Sequence, residues 1–173
     1  MPANLLFLAL LFALAFVPMI LEARISTAND RRLRAAGAIE PDGDVYRWMQ
    51  AAYPGCFLVM LVEAWWRGSS LTAIAIVGAA VFVAAKALKY WAIATLGERW
   101  TFRVLVPPGS HRKLDGPYRF VRHPNYIAVV GELLGFALLA QAPAGGALAM
   151  FGFGALLAAR IRVEERALDP RSR

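Results

Sequence analysis

The feature that most constrains this chain is a series of long apolar runs. Residues 5–21 contain no charged side chain, and neither do residues 71–85. A helix that crosses a bilayer core needs roughly 20 apolar residues, within a range of about 17–25. Hydrophobic residues make up 59% of the 173 residues, which is more apolar surface than a soluble domain of this length can bury. The sequence therefore predicts an all-α integral membrane protein.

Five transmembrane helices can be placed along the chain. Their predicted ranges are residues 4–21, 48–66, 71–96, 125–140 and 145–163. A polar stretch, residues 22–47, separates the first two helices. The fourth range is short for a complete span, so we expect it to be tilted or to begin below the interface, beside a polar loop.

The basic residues predict the orientation of the chain. It has 19 Lys and Arg against 12 Asp and Glu, a formal charge of +7. Lys and Arg accumulate in cytoplasmic loops, and long basic side chains near a helix end can reach toward the interface. With the N-terminus outside, every basic residue except Arg67 falls on the cytoplasmic side, as does the C-terminus. This explains the charge without nucleic acid, for which the sequence has no binding pattern.

One short polar sequence between the predicted helices holds most of the side chains that can do chemistry. It reads Gly116-Pro117-Tyr118-Arg119-Phe120-Val121-Arg122-His123-Pro124-Asn125-Tyr126. Pro124 suits the first turn of a helix, which puts His123 at or next to the N-cap. The positive end of the helix dipole binds anionic groups there, and Tyr126 lies on the same face. The competing interpretation is a helix cap at the membrane interface.

A second polar cluster closes the last apolar range, with the sequence Arg160-Ile161-Arg162-Val163-Glu164-Glu165-Arg166. Arg160 and Glu164 are four residues apart, so they share one face of a helix. They are either part of a site or a simple ion pair worth about 0.2–0.5 kcal/mol. Two charged clusters at adjoining helix ends favour a site.

Glu132 is an ionisable residue inside an apolar range. At ~1.5 Å per residue it lies about 13 Å along the helix from His123. Ionisable side chains at such depth are rare and usually face a cavity or a partner. Glu132 is therefore either a base, if its apolar surroundings favour the protonated form, or the partner of Lys86 or Lys89 in the third range.

Together these residues resemble the isoprenylcysteine carboxyl methyltransferase family. The resemblance spans residues 100–168, and its pattern is G-x-Y, then R-H-P-x-Y, a hydrophobic hairpin and R-x-x-x-E-E-x-x-L. The matching residues are Gly116-Pro117-Tyr118, Arg122-His123-Pro124-Asn125-Tyr126 and Glu164-Glu165-Arg166-Ala167-Leu168. Related phospholipid methyltransferases and membrane reductases have stretches similar to R-H-P-x-Y alone.

The resemblance implies a cytoplasmic pocket for S-adenosylmethionine. By position it assigns cofactor contacts to Tyr118, Arg122, His123, Pro124, Asn125, Tyr126, Glu164 and Glu165, and by a looser alignment to His111, Lys113 and Leu114. It places Arg160 toward the methyl acceptor. Arg160 and Glu132 are thus the candidate catalytic residues, and we expect no metal in the site.

Residues 125–132 look more like a bacterial branch of the family, which includes enzymes that O-methylate long-chain polyketide lipids. Many eukaryotic members have Gly where this chain has Ala128. We therefore expect methyl transfer to a hydroxyl or carboxyl oxygen of a lipophilic small molecule or lipid-modified acceptor. The expected location is the bacterial inner membrane, among membrane lipids, with the active site facing the cytoplasm.

This interpretation divides the chain into an N-terminal three-helix membrane region, residues 1–96, and a C-terminal catalytic region, residues 97–173. Three alternatives stay open at this point. They are a phospholipid N-methyltransferase, a nicotinamide-dependent membrane reductase, and a non-catalytic membrane scaffold in which the charged clusters only set topology.

Overall fold

Five helices form a single bundle in the structure, a computed structural model that describes residues 5–109 and 113–167. They are α1 (Leu5–Ala35), α2 (Tyr46–Arg67), α3 (Ala73–Leu96), α4 (Pro124–Leu139) and α5 (Pro143–Ala167). Two 3-10 turns, Gly97–Arg99 and Gly116–Arg119, lie between α3 and α4. No β-strand occurs among the described residues, so the predicted all-α class is confirmed.

The bundle has the helices that a membrane protein needs. Three of them, α1, α3 with the turn that follows it, and α5, are long and apolar enough to cross a membrane. α4 has 16 residues, which is shorter than a full span, as its sequence predicted. α2 and α4 pack against the three long helices, and the predicted count of five spans stays a prediction.

The first helix is longer than the sequence predicted. Its apolar run ends at Leu21, but α1 continues to Ala35. Three polar side chains on the added turns, Glu22, Ser26 and Asn29, are buried on one face. Asn29 donates to the Trp100 carbonyl at 2.8 Å, and Ser26 accepts from the Phe102 amide at 2.8 Å. The prediction ended too early because this helix face packs against the lysines of α3 and polar backbone instead of lipid or an apolar core.

Glycines let α3 and α4 approach each other closely. A Cβ on Gly78 would lie 2.8 Å from the Gly135 carbonyl oxygen, and one on Gly135 would lie 2.5 Å from the Phe82 amide nitrogen. Such backbone contact is typical of membrane helix pairs. Gly145 of α5 also lies close to α2, where a Cβ would be 3.2 Å from the Met60 Cα.

The chain direction brings the polar segments together. The C-terminal ends of α1, α3 and α5 and the N-terminal end of α4 lie at one end of the bundle, because residues from all four surround one cavity or contact its walls. An antiparallel bridge between Ile39 and Val106 joins the α1–α2 loop to the α3–α4 segment at that end. At the other end, Glu63 accepts from the Gly145 amide at 2.6 Å and caps α5.

The predicted orientation can be tested by cysteine labelling. In a Cys56→Ala background, Ser70→Cys lies in the exposed α2–α3 turn, and Asp115→Cys replaces a side chain that is 75% exposed at the polar end. A membrane-impermeant maleimide should label Ser70→Cys in intact spheroplasts, and Asp115→Cys only after permeabilisation, because the distribution of basic residues predicts that the basic end faces the cytoplasm. The reverse labelling pattern would overturn the orientation.

Candidate active site

A cavity of about 160 Å³, here called the polar cavity, lies at the basic end of the bundle. It is enclosed by the end of α3, the α3–α4 segment, the start of α4 and the end of α5. Its walls include these residues that the sequence proposed for a site: Lys113, Tyr118, Arg122, His123, Asn125, Tyr126, Arg160 and Glu164. The structure therefore brings the two charged clusters of the sequence into one site.

The start of α4 and the end of α5 are joined by side chains. His123 occupies the N-cap of α4 and Pro124 its first turn, as predicted, although the His123 side chain makes no capping hydrogen bond. The rings of His123 and Tyr126 stack with centroids 5.4 Å apart. The Tyr126 hydroxyl donates to Glu164 Oε2 at 2.5 Å, and His123 Nε2 lies 3.3 Å from Glu165 Oε1. One polar wall of the cavity is thus held in a fixed arrangement.

Two further groups in this wall are suited to a polar ligand. The buried Oδ1 atom of Asn125 has no hydrogen-bond partner among the residues that the structure describes, and a buried acceptor in that condition costs roughly 1–3 kcal/mol. A ligand that donates to Asn125 would remove this cost. Burial and, secondarily, the charge of Glu164 raise the pKa of Tyr118 above its usual value, so its hydroxyl stays protonated at neutral pH and can donate.

Arg160 is the most connected side chain of the site and is only 4% exposed. Its guanidinium donates to Asp44 Oδ1 at 2.6 Å, to the Phe102 carbonyl and to the Tyr126 hydroxyl at 3.3 Å. The competing sequence interpretation paired Arg160 with Glu164. In the structure its ion pair is with Asp44, and the Tyr126 hydroxyl lies between Arg160 and Glu164.

The α1–α2 loop is held across the rim of the polar cavity. Ile39 and Val106 exchange backbone hydrogen bonds of 3.1 and 3.0 Å. Burial raises the pKa of Glu40, but hydrogen bonds from Arg34 and Arg103 outweigh this effect and lower the pKa below its usual value. Glu40 is therefore ionised at neutral pH, which keeps the loop attached to Arg103 in the cavity wall.

A second cavity of about 320 Å³, here called the bundle cavity, is lined by residues from all five helices. Its lining surface is mainly apolar and comes largely from α1, α2, α4 and α5, but Thr27, Gln50, Tyr53 and Lys89 also contribute polar groups. It shares five lining residues with the polar cavity, namely Trp100, Thr101, Asn125, Tyr126 and Arg160. These five residues are the shared wall, with a polar space on one side and a mainly apolar space on the other.

Glu132 is fully buried and belongs to a quartet of charges with Glu22, Lys86 and Lys89. Lys86 Nζ lies 3.1 Å from Glu132 Oε2 and 2.8 Å from Glu22 Oε1. Lys89 Nζ lies 3.3 Å from Glu132 Oε2 and 2.7 Å from Glu22 Oε2. The pairing that the sequence offered as an alternative is therefore present, and it involves both lysines.

The predicted role of Glu132 as a base stays a prediction. Glu132 lines neither described cavity, but Tyr53 lines the bundle cavity and donates its hydroxyl hydrogen bond to Glu132. Lys89 also lines that cavity and lies 3.3 Å from Glu132 Oε2, so any proton transfer from an acceptor in the cavity to Glu132 would pass through Tyr53 or Lys89.

The remaining predicted residues have different positions. Pro124 is buried and Leu114 is 69% exposed, and the described lining of the polar cavity includes neither. Glu165 is absent from that lining as well and reaches the site through His123. His111 lies outside the residues that the structure describes.

Sequence reasoning missed most of the segment 99–107, which lines the polar cavity, and Asp44, which contacts the lining residue Arg160. Asp44 had a local signal, since Asp is common just before a helix, and although Val45 is the N-cap of α2, Asp44 Oδ1 accepts from the Tyr46 amide at 3.1 Å. No pattern indicated its pairing with Arg160, which is 116 positions away. Glu22 was missed because it was assigned to a loop.

Comparisons with known proteins identify the family of the chain. A sequence profile of the isoprenylcysteine carboxyl methyltransferase (ICMT) family matches residues 76–170. The uncharacterised protein YpbQ of Bacillus subtilis (strain 168) is 31% identical over 169 residues, which cover 92% of this chain and 95% of that relative. An uncharacterised protein of Haemophilus influenzae is 27% identical over 165 residues, covering 95% and 96%. No solved structure matches the chain significantly.

The buried quartet predicts a large effect on stability. Glu132→Gln would leave two lysines with one carboxylate in an apolar interior, and breaking a buried ion pair costs roughly 3–5 kcal/mol. We expect a clearly lower thermal unfolding temperature in detergent. Glu165→Gln, which changes a side chain that is 45% exposed, is the matched control and should unfold like the wild type. Normal stability with lost activity would instead support a purely catalytic Glu132.

Proposed function

We propose that this chain, which belongs to the isoprenylcysteine carboxyl methyltransferase family, is a membrane enzyme that uses S-adenosylmethionine to methylate an oxygen of a lipophilic acceptor. The observation that carries the proposal is the shared wall. A polar cavity that holds the family's motif residues and a mainly apolar cavity inside the bundle have five lining residues in common. A polar cofactor and an apolar acceptor can thereby approach the same side chains.

The residues of the polar cavity fit the chemistry of the proposed cofactor. The carboxylate of its amino-acid part suits the N-terminal end of α4 and basic side chains such as Arg122. Its ribose hydroxyls and amino groups are donors, which suit Glu164 and the unpartnered Oδ1 of Asn125. When bound, S-adenosylmethionine supplies an electrophilic methyl group on a sulfonium.

The protein's own contribution is alignment and the exclusion of water. Trp100 and Arg160 in the shared wall are only 3% and 4% exposed. Reactants held in the correct geometry in a dry site need little covalent help from the protein. Arg160 donates three hydrogen bonds to protein partners. A guanidinium has five N–H groups, so some of them can donate to an oxygen of the acceptor.

The bundle cavity is the proposed acceptor site. Its walls are mainly apolar, with Met19, Val129, Phe153 and Leu157 among them, and they suit a hydrocarbon chain that enters from the bilayer. An oxygen nucleophile is favoured over a protonated amine because the N–H groups that Arg160 keeps can donate to an oxygen, whereas an ammonium group is itself only a donor and has no lone pair to accept them. This argues against the phospholipid N-methyltransferase alternative.

The first test is binding of the cofactor. Calorimetry on the detergent-purified protein should detect S-adenosylmethionine and no nicotinamide nucleotide. His123→Ala and Glu164→Gln should each weaken this binding by roughly 1–3 kcal/mol, because each removes a polar group of the cavity wall. Arg162→Gln, an exposed change on the same helix, should bind like the wild type. Normal binding by both folded cavity variants would refute the site.

The second test identifies the acceptor class. The purified protein is incubated with labelled methyl donor and, in separate reactions, an alkylpyrone or alkylresorcinol, a prenylcysteine and phosphatidylethanolamine. We expect label on oxygen, and strongly reduced labelling by Arg160→Lys because an ammonium does not reproduce the guanidinium fork. Methylation of phosphatidylethanolamine alone would contradict the proposed reaction.

A further inference from the structure

The α1–α2 loop places one buried carboxylate, Asp44, against the shared wall. Its side chain is 4% exposed, although the loop itself is polar. Oδ1 accepts from the Arg160 guanidinium at 2.6 Å, and Oδ2 accepts from the Val104 amide at 3.1 Å. Asp44 therefore touches a residue of both cavities, Arg160, and a residue of the polar cavity, Val104.

This contact decides the charge that an acceptor meets. An unpaired guanidinium in a wall with little water would attract an anion strongly, since charges interact strongly where the dielectric constant is low. Asp44 supplies the opposite charge at hydrogen-bond distance, so the Arg160–Asp44 pair is neutral. The unused N–H groups of Arg160 can still donate to an oxygen, but they do so from a neutral pair.

A carboxylate on the acceptor would be disfavoured at such a wall. It would lose its hydration on entering the bundle cavity, and an ionised group is buried at low cost only if it gains an ionic partner. Arg160 already has its partner, and the charge of Asp44 would repel a second carboxylate. An uncharged hydroxyl has neither difficulty.

We propose that Asp44 is a specificity-determining residue, which neutralises Arg160 at the shared wall and so makes the site prefer an acceptor head without a carboxylate. It is also a positioning residue, because it holds Arg160 and Val104 in place together. This inference rests on the proposed function and refines the acceptor class of the same site.

The test compares two amphiphiles with the same tail, pentadecylresorcinol, which is uncharged, and pentadecylsalicylate, which carries a carboxylate. Equilibrium binding to the full-length protein in detergent is measured without methyl donor. The wild type should bind the resorcinol at least tenfold more tightly. Asp44→Asn leaves Arg160 uncompensated and should reduce this preference at least tenfold. Asp42→Asn, the same charge change at an exposed position of the same loop, should keep the wild-type preference.

A combined variant separates charge from structure. Asp44→Asn/Arg160→Gln removes both charges and should restore the preference for the resorcinol, whereas a purely structural role of Asp44 would leave the preference lost. If Asp44→Asn does not fold, Arg160→Gln serves instead: the unpaired Asp44 should then weaken salicylate binding below that of the wild type.

Equal preferences in the wild type and Asp44→Asn, or a wild type that prefers the salicylate, would overturn the inference. A wild-type protein that does not bind S-adenosylmethionine would instead reject the proposed function.

Discussion

Mutual neutralisation of four buried charges is the interaction on which the rest of the bundle depends. Glu22 of α1, Lys89 of α3 and Glu132 of α4 are nearly inaccessible to solvent, Lys86 of α3 is 11% exposed, and contacts between the opposite charges are 2.7–3.3 Å. A single ionised group in such surroundings would be costly, but two of each sign are compatible with an apolar interior. The quartet also fixes the rotation of three helices, because each must point its charged residue at the others.

That rotation determines where the two cavities lie. With Glu132 directed toward α1 and α3, the residues earlier on α4, Tyr126 and Val129, line the bundle cavity. Tyr53 of α2 lines the bundle cavity and donates a hydrogen bond to Glu132, so α2 is joined to the quartet as well. At the basic end, the pair of Arg160 and Asp44 completes the shared wall with a second neutral arrangement of charges. A buried charge thus has a partner of opposite sign both in the quartet and at the basic end of the bundle.

The local features of the site could be predicted from the sequence. Pro124 after His123 is a helix-start signal, and the structure has α4 beginning there, with His123 as its N-cap. The spacing of Arg160 and Glu164 on one helix face also placed both beside the polar cavity. The end of α1 was mispredicted, because a helix that buries Ser26 and Asn29 against backbone groups has no apolar face to reveal it.

By itself the sequence determined the membrane class, the helical secondary structure and the family, because these depend on composition, periodicity and short motifs that are local along the chain. Only the tertiary structure decided the partners of the buried charges. Asp44 meets Arg160, and Glu22 meets Lys86 and Lys89, across separations of 116 and 64 positions or more. Such pairings depend on helix rotation and loop position, which follow from the packing of all five helices together and have no local signature.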